Sequence, residues 1–402
     1  MTSTRRTVAI LGAGPAGLAA AEVLGAVGIA ATIYDRMPSP ARKFLIAGRG
    51  GLNLTHSEPL ERFLDRYGPA RGRLEPAIRA FPPNALRDWC HGLGQETFVG
   101  SSGRVFPAAM KAAPLLRAWL RRLDATGVRL ETRATWTGWD EAGALFFGDG
   151  QRAHPDAAIL ALGGASWPRL GSDGGWAPIL AARGLRVLPF APSNAGVLVP
   201  WSGHLRDRHA GAPLKRIALA VGDARVRGEA VVTRGGLEGG AVYALSAAIR
   251  SALWAEAPAT LRLDLRPDLT EPDCAARLAA PRRGQSLSNH LRRTLSLPPV
   301  AVALLREAGP VPEDAAALAA RIKALPLPVT GFAGLDRAIS SAGGLAWGEV
   351  GDDFGITRLP GVFVAGEMLD WEAPTGGYLL QACLATGRAA AAGVLRFLVG
   401  KE

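Results

Sequence analysis

The sequence predicts an α/β fold in which both ends of the chain build one parallel sheet around an inserted domain. An apolar run, Thr7–Leu11, leads into glycines, a helix of small residues and a second apolar run. A further buried strand is expected near the C-terminus, at 361–365. Between these two parts of the chain the α/β pattern is absent. Alternating apolar segments occur there first, and arginine-rich helical segments follow them. We therefore expect one domain from residues 1–191 and 336–402, and a second from 192–335.

The composition is typical of a globular protein from a reducing compartment. The 402 residues allow two or three domains, and 48 % hydrophobic with 20 % charged residues excludes a wholly disordered chain. The three cysteines are far apart, and they form neither a disulfide framework nor, with the six histidines, a zinc-binding spacing. The apolar stretch at 7–21 is shorter than the roughly 20 residues of a membrane span. We expect a cytoplasmic protein without a metal site or membrane segment.

The N-terminal elements predict one βαβ unit in about 30 residues. Thr7–Leu11 has the continuous apolar character of a strand that is buried on both faces. Ala16–Val27 is a helix of small residues that ends at Gly28. Ile29–Tyr34 is a second strand, closed by Asp35.

The elements that follow show weaker patterns. The glycine-rich stretch 38–55 is predicted to be irregular, and 59–94 has helical spacing. Elsewhere in the first domain we expect a helix at 111–125, a small antiparallel element at 128–139 and 144–148, a buried strand at 157–162 and a long apolar helix at 377–398. In the insert we expect strands within 196–201, 216–222, 228–233 and 260–265, and helices between 270 and 323.

The glycine turn at 12–17, GAGPAG, follows a predicted strand and opens a predicted helix. Gly12 permits the tight turn, Gly14 lets the backbone approach a pyrophosphate, and Gly17 allows helix and strand to pack closely. The helix N-terminus directs free N–H groups at the phosphates. Asp35, 23 residues after Gly12, can accept from ribose hydroxyls and would repel a 2′-phosphate. We interpret this turn as a dinucleotide site rather than an ordinary glycine turn, and its candidate residues also include Pro15, Ala16 and Arg36.

Two further segments carry candidate cofactor contacts. The first, RKFLIAGRGGLNLT at 42–55, places three glycines and three basic residues near the dinucleotide turn; the alternative is a flexible surface loop. The second is the buried strand 361–365, which delivers Gly366 and Glu367 at its carboxyl end and precedes Gly376-Gly377 at a helix start. Such a helix N-terminus can stabilise negative charge on a reduced flavin. Its alternative is an unrelated strand–helix connection.

These segments resemble the two-dinucleotide-fold flavoproteins. More narrowly, RKFLIAGRGGLNLTH at 42–56 and AGEMLDWEAPTGGYLLQACLATG at 365–387 are similar to the BaiN/RdsA family of NAD(P)/FAD-dependent oxidoreductases, and the resemblance covers nearly the whole chain. The chain departs from the family's Thr-His-x-Gly-x-Ser-Gly-Pro segment at Arg234, Glu238 and Gly240. It also lacks the Arg-Cys pair of the family's Gly-Gly-Gly-Arg-Cys-Asn at 48–53. These departures indicate a distinct subfamily.

The resemblance implies a Rossmann-like FAD-binding domain assembled from both chain ends, with an inserted β-barrel-like and helical domain. By this resemblance the glycine turn and Asp35 would hold the ADP half of FAD. The remaining cofactor candidates, on the basic loop, the strand ends and the C-terminal helix start, are Lys43, Gly48, Gly50, Gly51, Asn53, Gly163, Gly164, Gly366, Glu367, Gly376, Gly377 and Tyr378.

The leading functional interpretation is an FAD-dependent oxidoreductase that transfers hydride between the flavin and a small organic substrate. NAD(P)H is a candidate reductant, although only one GxGxxG occurs and no second nucleotide domain is evident. The net charge is 46 − 35 = +11, which favours an RNA-modifying flavoenzyme as the alternative, with the arginines at 62–79 and 281–293 as its contacts. Because 41 of the 46 basic residues are arginine, a composition bias spread over the surface is the preferred explanation of the charge. A non-enzymatic flavin-binding protein is a third interpretation.

The sequence assigns no catalytic residue and no oligomeric state. His56 is the one histidine we consider for proton transfer, because it follows the loop expected at the flavin; a loop histidine that only forms hydrogen bonds is the simpler interpretation. Cys383 is expected to be a buried packing residue. Trp167 and Trp371 border the proposed cofactor loops and could cover the flavin ring or the substrate, or belong to the core.

Overall fold

The computed structural model describes residues 6–48, 50–282 and 284–400. The chain divides into two compact units. The first contains the residues up to Ala191 together with those from Ser340 onward, and the second, the insert unit, is Pro192–Ile339. The insert was predicted at 192–335.

The helices and strands of the described residues are numbered in chain order. The helices are α1 (Pro15–Ala26), α2 (Arg42–Ala47), α3 (Leu60–Asp65), α4 (Arg71–Ala80), α5 (Pro83–Gly92), α6 (Ala112–Ala125), α7 (Ala177–Ala182), α8 (Gly203–His209), α9 (Gly240–Ala244), α10 (Ser246–Ala255), α11 (Glu271–Leu278), α12 (Leu287–Leu295), α13 (Pro299–Glu307), α14 (Ala315–Lys323) and α15 (Tyr378–Val399). The strands are β1 (Thr7–Leu11), β2 (Ala30–Asp35), β3 (Thr55–His56), β4 (Thr97–Val99), β5 (Arg104–Pro107), β6 (Arg129–Thr132), β7 (Trp136–Trp139), β8 (Leu145–Phe147), β9 (Arg152–Ala153), β10 (Ala157–Leu160), β11 (Val187–Ser193), β12 (Val197–Leu198), β13 (Pro213–Val221), β14 (Ala224–Val232), β15 (Gly236–Glu238), β16 (Ala259–Asp264), β17 (Leu325–Val329), β18 (Gly331–Phe332), β19 (Ser340–Leu345) and β20 (Val362–Val364).

A five-stranded parallel sheet organises the first unit, in the order β20-β10-β1-β2-β6. The α/β class is confirmed, and strands from both ends of the chain share this sheet. Val8–Leu11 of β1 are buried because the strand lies inside the sheet and has helices packed on it. The three-stranded sheets β3-β5-β4 and β7-β8-β9 are separate from this parallel sheet.

Two local predictions in this unit are corrected. We expected 128–139 to pair antiparallel with 144–148, but only β7 pairs with β8 in this way. β6 instead joins the parallel sheet beside β2, after a long connection whose last helix is α6. The stretch 38–55, expected to be irregular, contains the short helix α2.

Close contact between α1 and α15 brings the two ends of the chain together. A Cβ on Gly387 would lie only 2.1 Å from the carbonyl oxygen of Ala16, so a larger residue at 387 would push the helices apart. α15 is long and apolar enough, by length and composition, to cross a membrane. However, 61 % of its most apolar window is buried in this unit, as in the core helix of a folded protein.

The insert unit is built on a seven-stranded antiparallel sheet in the order β17-β16-β13-β14-β15-β12-β18. The two end strands of this order, β17 and β18, are separated only by Thr330. One stretch of chain therefore pairs with both β16 and β12, which joins the two ends of the strand order in the barrel-like manner that the family resemblance implies. The arginine-rich part beyond β16 forms α11–α14, as expected.

Candidate functional site

A cavity of about 440 Å³ lies at the carboxyl ends of the parallel strands of the first unit. Residues at the ends of β1, β2 and β10, residues after β6 and β20, α2 and the segment 170–176 form its walls. Open α/β sheets bind their ligands at this edge. Eight of the predicted cofactor residues line the cavity: Gly12, Gly14, Pro15, Asp35, Arg36, Lys43, Gly163 and Glu367.

Each of the three glycines in the turn at 12–17 is suited to its position for a different physical reason. Gly12 has a φ of +105°, and a Cβ on it would lie 2.3 Å from the carbonyl oxygen of Ala161. A Cβ on Gly17 would lie 2.0 Å from the oxygen of Gly12, so only glycine lets α1 begin this close to β1. A Cβ on Gly14 would meet nothing within 4 Å, at the N-terminus of α1, which has no side-chain cap. Gly14 therefore leaves room for a ligand, whereas the other two glycines maintain the turn.

Asp35 stands at the end of β2, beside this turn. Its two carboxylate oxygens accept hydrogen bonds of 2.7 Å from the backbone N–H groups of Ala13 and Met37. Burial raises the pKa of the Asp35 carboxyl above its usual 3.8, against the lowering effect of these two donors and of Arg36 and Arg42. The remaining lone pairs of the carboxylate can accept hydrogen bonds from hydroxyl groups of a ligand in the cavity.

Arg36 connects the end of β2 to the segment 168–173. Its guanidinium donates to the carboxylate of Asp173 at 2.6 Å and to the carbonyl oxygen of Pro168 at 3.3 Å. The segment is thus held at the wall of the cavity by a charged side chain from the end of β2.

An ion pair lies in the cavity wall beside β10 and β20. Lys43 Nζ is 2.8 Å from Glu367 Oε2 and 2.6 Å from Ser166 Oγ. α2 supplies the lysine and the turn after β20 supplies the glutamate, whose side chain is only 12 % exposed.

Four predicted residues lie behind the cavity wall instead of lining it. A Cβ on Gly164 would lie 2.1 Å from Ser341 Oγ, and one on Gly366 would lie 2.9 Å from the Cβ of Ala16. Ala16 and Gly17 are themselves buried at the start of α1. These residues allow the elements to approach closely, whereas Gly163 lines the cavity and accepts a 2.8 Å hydrogen bond from the indole of Trp176.

The basic loop packs against the segment 105–112. A Cβ on Gly48 would lie 2.7 Å, and one on Gly51 2.6 Å, from atoms of residues 110–112. Gly50 has no such neighbour within 4 Å, and Arg49 lies outside the described residues. Asn53 Oδ1 is buried and has no hydrogen-bond partner in the protein.

The N-terminus of α15 forms a second group of predicted residues. The helix begins at Tyr378 without a side-chain cap, after Gly376 with φ +144° and Gly377 with φ +90°. A Cβ on Gly377 would lie 2.5 Å from the backbone of Thr55. Thr55 Oγ1, like the nearby Asn53 Oδ1, is buried without a partner. Free helical N–H groups and two unpaired acceptors therefore occur in the same part of the unit.

The side chain of Tyr378 contacts other side chains of the protein. The predicted contact with a flavin ring is therefore left to its backbone. Its hydroxyl donates to the Glu58 carboxylate, which also accepts a 2.7 Å bond from Arg66. Its ring stacks on that of His56 with centroids 5.6 Å apart. Burial, together with the Glu58 contact, raises the pKa of the Tyr378 hydroxyl. What this residue can offer a flavin is its backbone N–H.

The other candidates have ordinary structural surroundings. His56 Nδ1 accepts from the backbone N–H of Glu58 at 3.1 Å, so its Nε2 is free to donate to the Ser102 carbonyl oxygen at 3.0 Å. These two contacts hold the His56 ring within the loop. Trp371 is buried and its indole donates to the Gly366 carbonyl at 2.9 Å. Burial raises the pKa of the Cys383 thiol, which suits a packing role.

The polar atoms of the cavity fit a ligand with many hydrogen-bonding groups. Buried atoms without a protein partner, all on residues that line the cavity, are Arg36 Nε, Arg42 Nε, Trp136 Nε1, Ser172 Oγ and Glu367 Oε1. Unpaired buried donors and acceptors are costly, so such a concentration indicates a site completed by a bound molecule. The carboxylate at β2, the open position at Gly14 and the α1 N-terminus match ribose and pyrophosphate of a dinucleotide.

The sequence pattern of the HI0933-like protein Rossmann domain matches residues 6–393. The chain belongs to the HI0933-like family. It is an FAD-dependent oxidoreductase, in keeping with the dinucleotide geometry of the cavity. The resemblance drawn from the two quoted segments is thereby confirmed.

Two characterised relatives span almost the whole HI0933-like chain. The 3-dehydro-bile acid delta(4,6)-reductase of Clostridium scindens is 27 % identical over 94 % of this chain and 97 % of its own length. The ribosomal RNA dihydrouridine synthase of Escherichia coli is 26 % identical over 92 % of this chain and 94 % of its own length.

Solved structures share the fold. The 3-ketosteroid delta1-dehydrogenase from Sterolibacterium denitrificans superposes with a TM-score of 0.52 at 12 % identity, covering 97 % of this chain and 100 % of that one. The 3-ketosteroid-delta4-(5alpha)-dehydrogenase from Rhodococcus jostii RHA1 gives a TM-score of 0.50 at 15 % identity, with 98 % of each chain covered. At this identity the likeness concerns the fold alone.

The cavity residues that the sequence analysis missed include Arg42, Trp136 and Ser172, each with a buried polar atom that has no partner in the protein. Arg42 belongs to the basic loop 42–55 but is not among the predicted cofactor residues. Trp136 follows β6, and a signal for it existed, because residues after the carboxyl end of a parallel strand face this edge. That signal was lost when 128–139 was assigned to an antiparallel element.

Proposed function

We propose that this HI0933-like flavoprotein reduces a carbon–carbon double bond conjugated to a carbonyl group in a small organic molecule. The support is the chemistry shared by the names of its two relatives. A 3-dehydro-delta(4,6) bile acid and a uracil ring both carry a double bond conjugated to a carbonyl. In such a reaction reduced FAD would supply a hydride to one carbon of the double bond, and solvent would supply a proton to its neighbour.

The structural observation that supports the flavin part of this proposal is the uncapped N-terminus of α15. Bound FAD supplies the hydride chemistry, and its ring has both carbonyl acceptors and an N–H donor. The free backbone N–H groups after Gly377 suit the carbonyls and the negative charge of a reduced flavin. Asn53 Oδ1 and Thr55 Oγ1 suit the N–H donor. These residues favour a flavin that cycles between oxidised and reduced forms.

The surface charge near the first-unit helices favours a small substrate over RNA. Of the five arginines at 62–79, four form ion pairs with carboxylates: Arg66, Arg71, Arg73 and Arg79. Arginines whose charge is already neutralised by a carboxylate attract phosphates more weakly than unpaired ones.

The reductant and the location belong to the same proposal. NADH or NADPH is the candidate reductant, and it would bind without its own nucleotide domain because a single GxGxxG is present. The cytoplasm is supported by three buried cysteines that form no disulfide.

The experiment is an anaerobic two-stage reaction with the purified holoprotein. Reduction by NADH, NADPH or dithionite bleaches the flavin, and a panel of conjugated ketones is then added. We expect at least one ketone to restore the oxidised flavin absorbance, with a product two hydrogens heavier by mass spectrometry. If oxygen reoxidises the flavin but no conjugated carbonyl compound does, the proposal is wrong.

A second candidate, base reduction in RNA, is supported by one set of residues in the insert unit. Arg282, Arg292 and Arg293 are exposed, and none forms an ion pair with a carboxylate of the described residues. Arg283 lies outside the described residues. The E. coli relative is named for action on ribosomal RNA.

Salt-dependent binding distinguishes this candidate. If RNA is the partner, replacing Arg282, Arg283, Arg292 and Arg293 with alanine should weaken binding and reduce its salt dependence without loss of FAD. Arg227 and Arg234 are the matched controls, because each pairs with an aspartate of the same unit. Binding to ribosomal RNA no tighter than to a generic polyanion, unchanged in the quadruple variant, would leave the small-molecule function.

A further inference from the structure

Trp136 carries a buried hydrogen-bond donor that the protein leaves unpaired. The residue begins β7, lines the cavity and is 7 % exposed. Its Nε1 has no partner among the protein atoms. Trp176, another indole in the cavity wall, donates to the Gly163 carbonyl instead. Because buried donors are almost always paired in folded proteins, the Trp136 donor points to a group that enters with the ligand.

The strand order identifies which part of FAD reaches Trp136. Along the order β20-β10-β1-β2-β6, Glu367 follows the first strand, Gly14 follows the middle strand and Asp35 ends the next. The turn at Gly14 takes the pyrophosphate and Asp35 takes the adenosine ribose. Trp136 follows β6, on the side of Asp35 that is opposite to Glu367. The group beyond the ribose on that side is the adenine base.

We propose that the indole N–H of Trp136 donates a hydrogen bond to a ring nitrogen of the FAD adenine and thereby selects adenine dinucleotides over shorter flavins. An indole N–H is a donor only, and adenine presents several uncharged acceptor nitrogens at its edges. The adjoining wall residues Ala134 and Ile179 are apolar and suit the faces of a base. The inference rests on FAD as the cofactor and is independent of the substrate proposed above.

The test compares Trp136→Phe with Trp139→Phe in the full-length chain. The phenylalanine keeps an aromatic ring but removes the N–H. Trp139 is the matched control, because its ring contacts that of Trp136 edge-on at 4.9 Å without lining the cavity. Each protein is stripped of flavin and titrated with FAD, ADP and FMN, with flavin fluorescence or calorimetry as the readout.

We expect Trp136→Phe to weaken the binding of FAD and ADP by about tenfold, the usual scale for one buried hydrogen bond. The affinity for FMN should be unchanged. Trp139→Phe should leave all three affinities unchanged. Unaltered ADP affinity in Trp136→Phe, or equal losses for FAD and FMN, would overturn the proposal.

A second measurement on the wild-type protein keeps the proposal falsifiable if Trp136→Phe does not fold. With ¹⁵N-labelled tryptophan, ADP should move one indole N–H signal downfield and slow its exchange with solvent, also in Trp139→Phe. ADP that binds without altering any indole signal would contradict the assignment.

Discussion

Lys43 and Glu367 are 324 positions apart in the chain, yet the lysine ammonium lies 2.8 Å from the glutamate carboxylate. Both line the cavity, one on α2 and the other just after β20. The pair therefore joins the N-terminal and C-terminal contributions to the first unit within the cofactor site. It also neutralises a carboxylate that would otherwise be buried alone.

Replacing Lys43 should show how much the buried Glu367 carboxylate depends on its cation. In Lys43→Met the Glu367 carboxylate keeps no cation, and we expect the flavin-free protein to lose about 1–2 kcal/mol, less than a fully buried pair because Lys43 is partly exposed. Urea unfolding measures the loss. The double variant with Glu367→Gln should regain most of it, and the exposed Lys111→Met is the control. A double variant no more stable than Lys43→Met would refute the coupling.

Gly14 and Gly17 should respond differently to substitution. Gly14→Val places a side chain in the open space at the α1 N-terminus, so the protein should fold normally but contain no FAD. Gly17→Ala drives a Cβ against the carbonyl oxygen of Gly12 and should lower the thermal midpoint itself. Flavin content and melting temperature of the flavin-free forms separate the two effects, with Gly72→Ala as a control on an open helix surface. Full FAD content in Gly14→Val would place the pyrophosphate elsewhere.

The affinity for FAD should fall in mild acid because of Asp35. Since burial raises the pKa of this carboxyl above 3.8, protonation begins at a higher pH than for an ordinary aspartate. Protonation removes an acceptor for the ribose, so affinity is retained at pH values above the raised pKa and lost as the pH falls through it. FAD titrations of the wild type and Asp35→Asn across this range test the point. Asp35→Asn should bind weakly and without this pH dependence; an identical dependence in the variant would exclude Asp35.

The Asp35 carboxyl also affects the stability of the flavin-free protein. A folded-state pKa above the unfolded value means that the folded form binds the proton more tightly. The contribution of Asp35 to stability is therefore present below pH 3.8 and is lost as the pH rises through the raised value. Unfolding free energies of the flavin-free wild type and Asp35→Asn should diverge across this window.

Tyr378→Phe should affect stability more than flavin binding. The hydroxyl donates to Glu58, so its removal leaves that carboxylate with Arg66 and should cost about 1–2 kcal/mol of unfolding free energy. The backbone N–H at 378 remains, and FAD content should be unchanged. Tyr67→Phe, which loses a hydrogen bond of 2.8 Å to the Tyr378 carbonyl, is a matched comparison. Loss of FAD at unchanged stability would show that the tyrosine side chain contacts the cofactor.

Most of the parallel sheet could be predicted from local patterns. β1, α1 and β2 are a continuous apolar run, a small-residue helix and a second run, and their order along the chain alone predicts a βαβ unit. β6 could not be recognised in this way. Its four residues, Arg129–Thr132, are exposed or half-buried, so they lack the apolar run that marks a buried strand.

The sequence by itself determined the glycine turn, the acid at position 35 and the origin of the sheet from both chain ends, because each depends on a short stretch of chain with its own conformational preference. Only the tertiary structure decided that Lys43 pairs with Glu367, that Tyr378 binds Glu58 and that Trp136 lines the cavity with a free donor. These relationships join residues from elements far apart in the sequence. They depend on how closely the elements pack, and no local pattern records that distance.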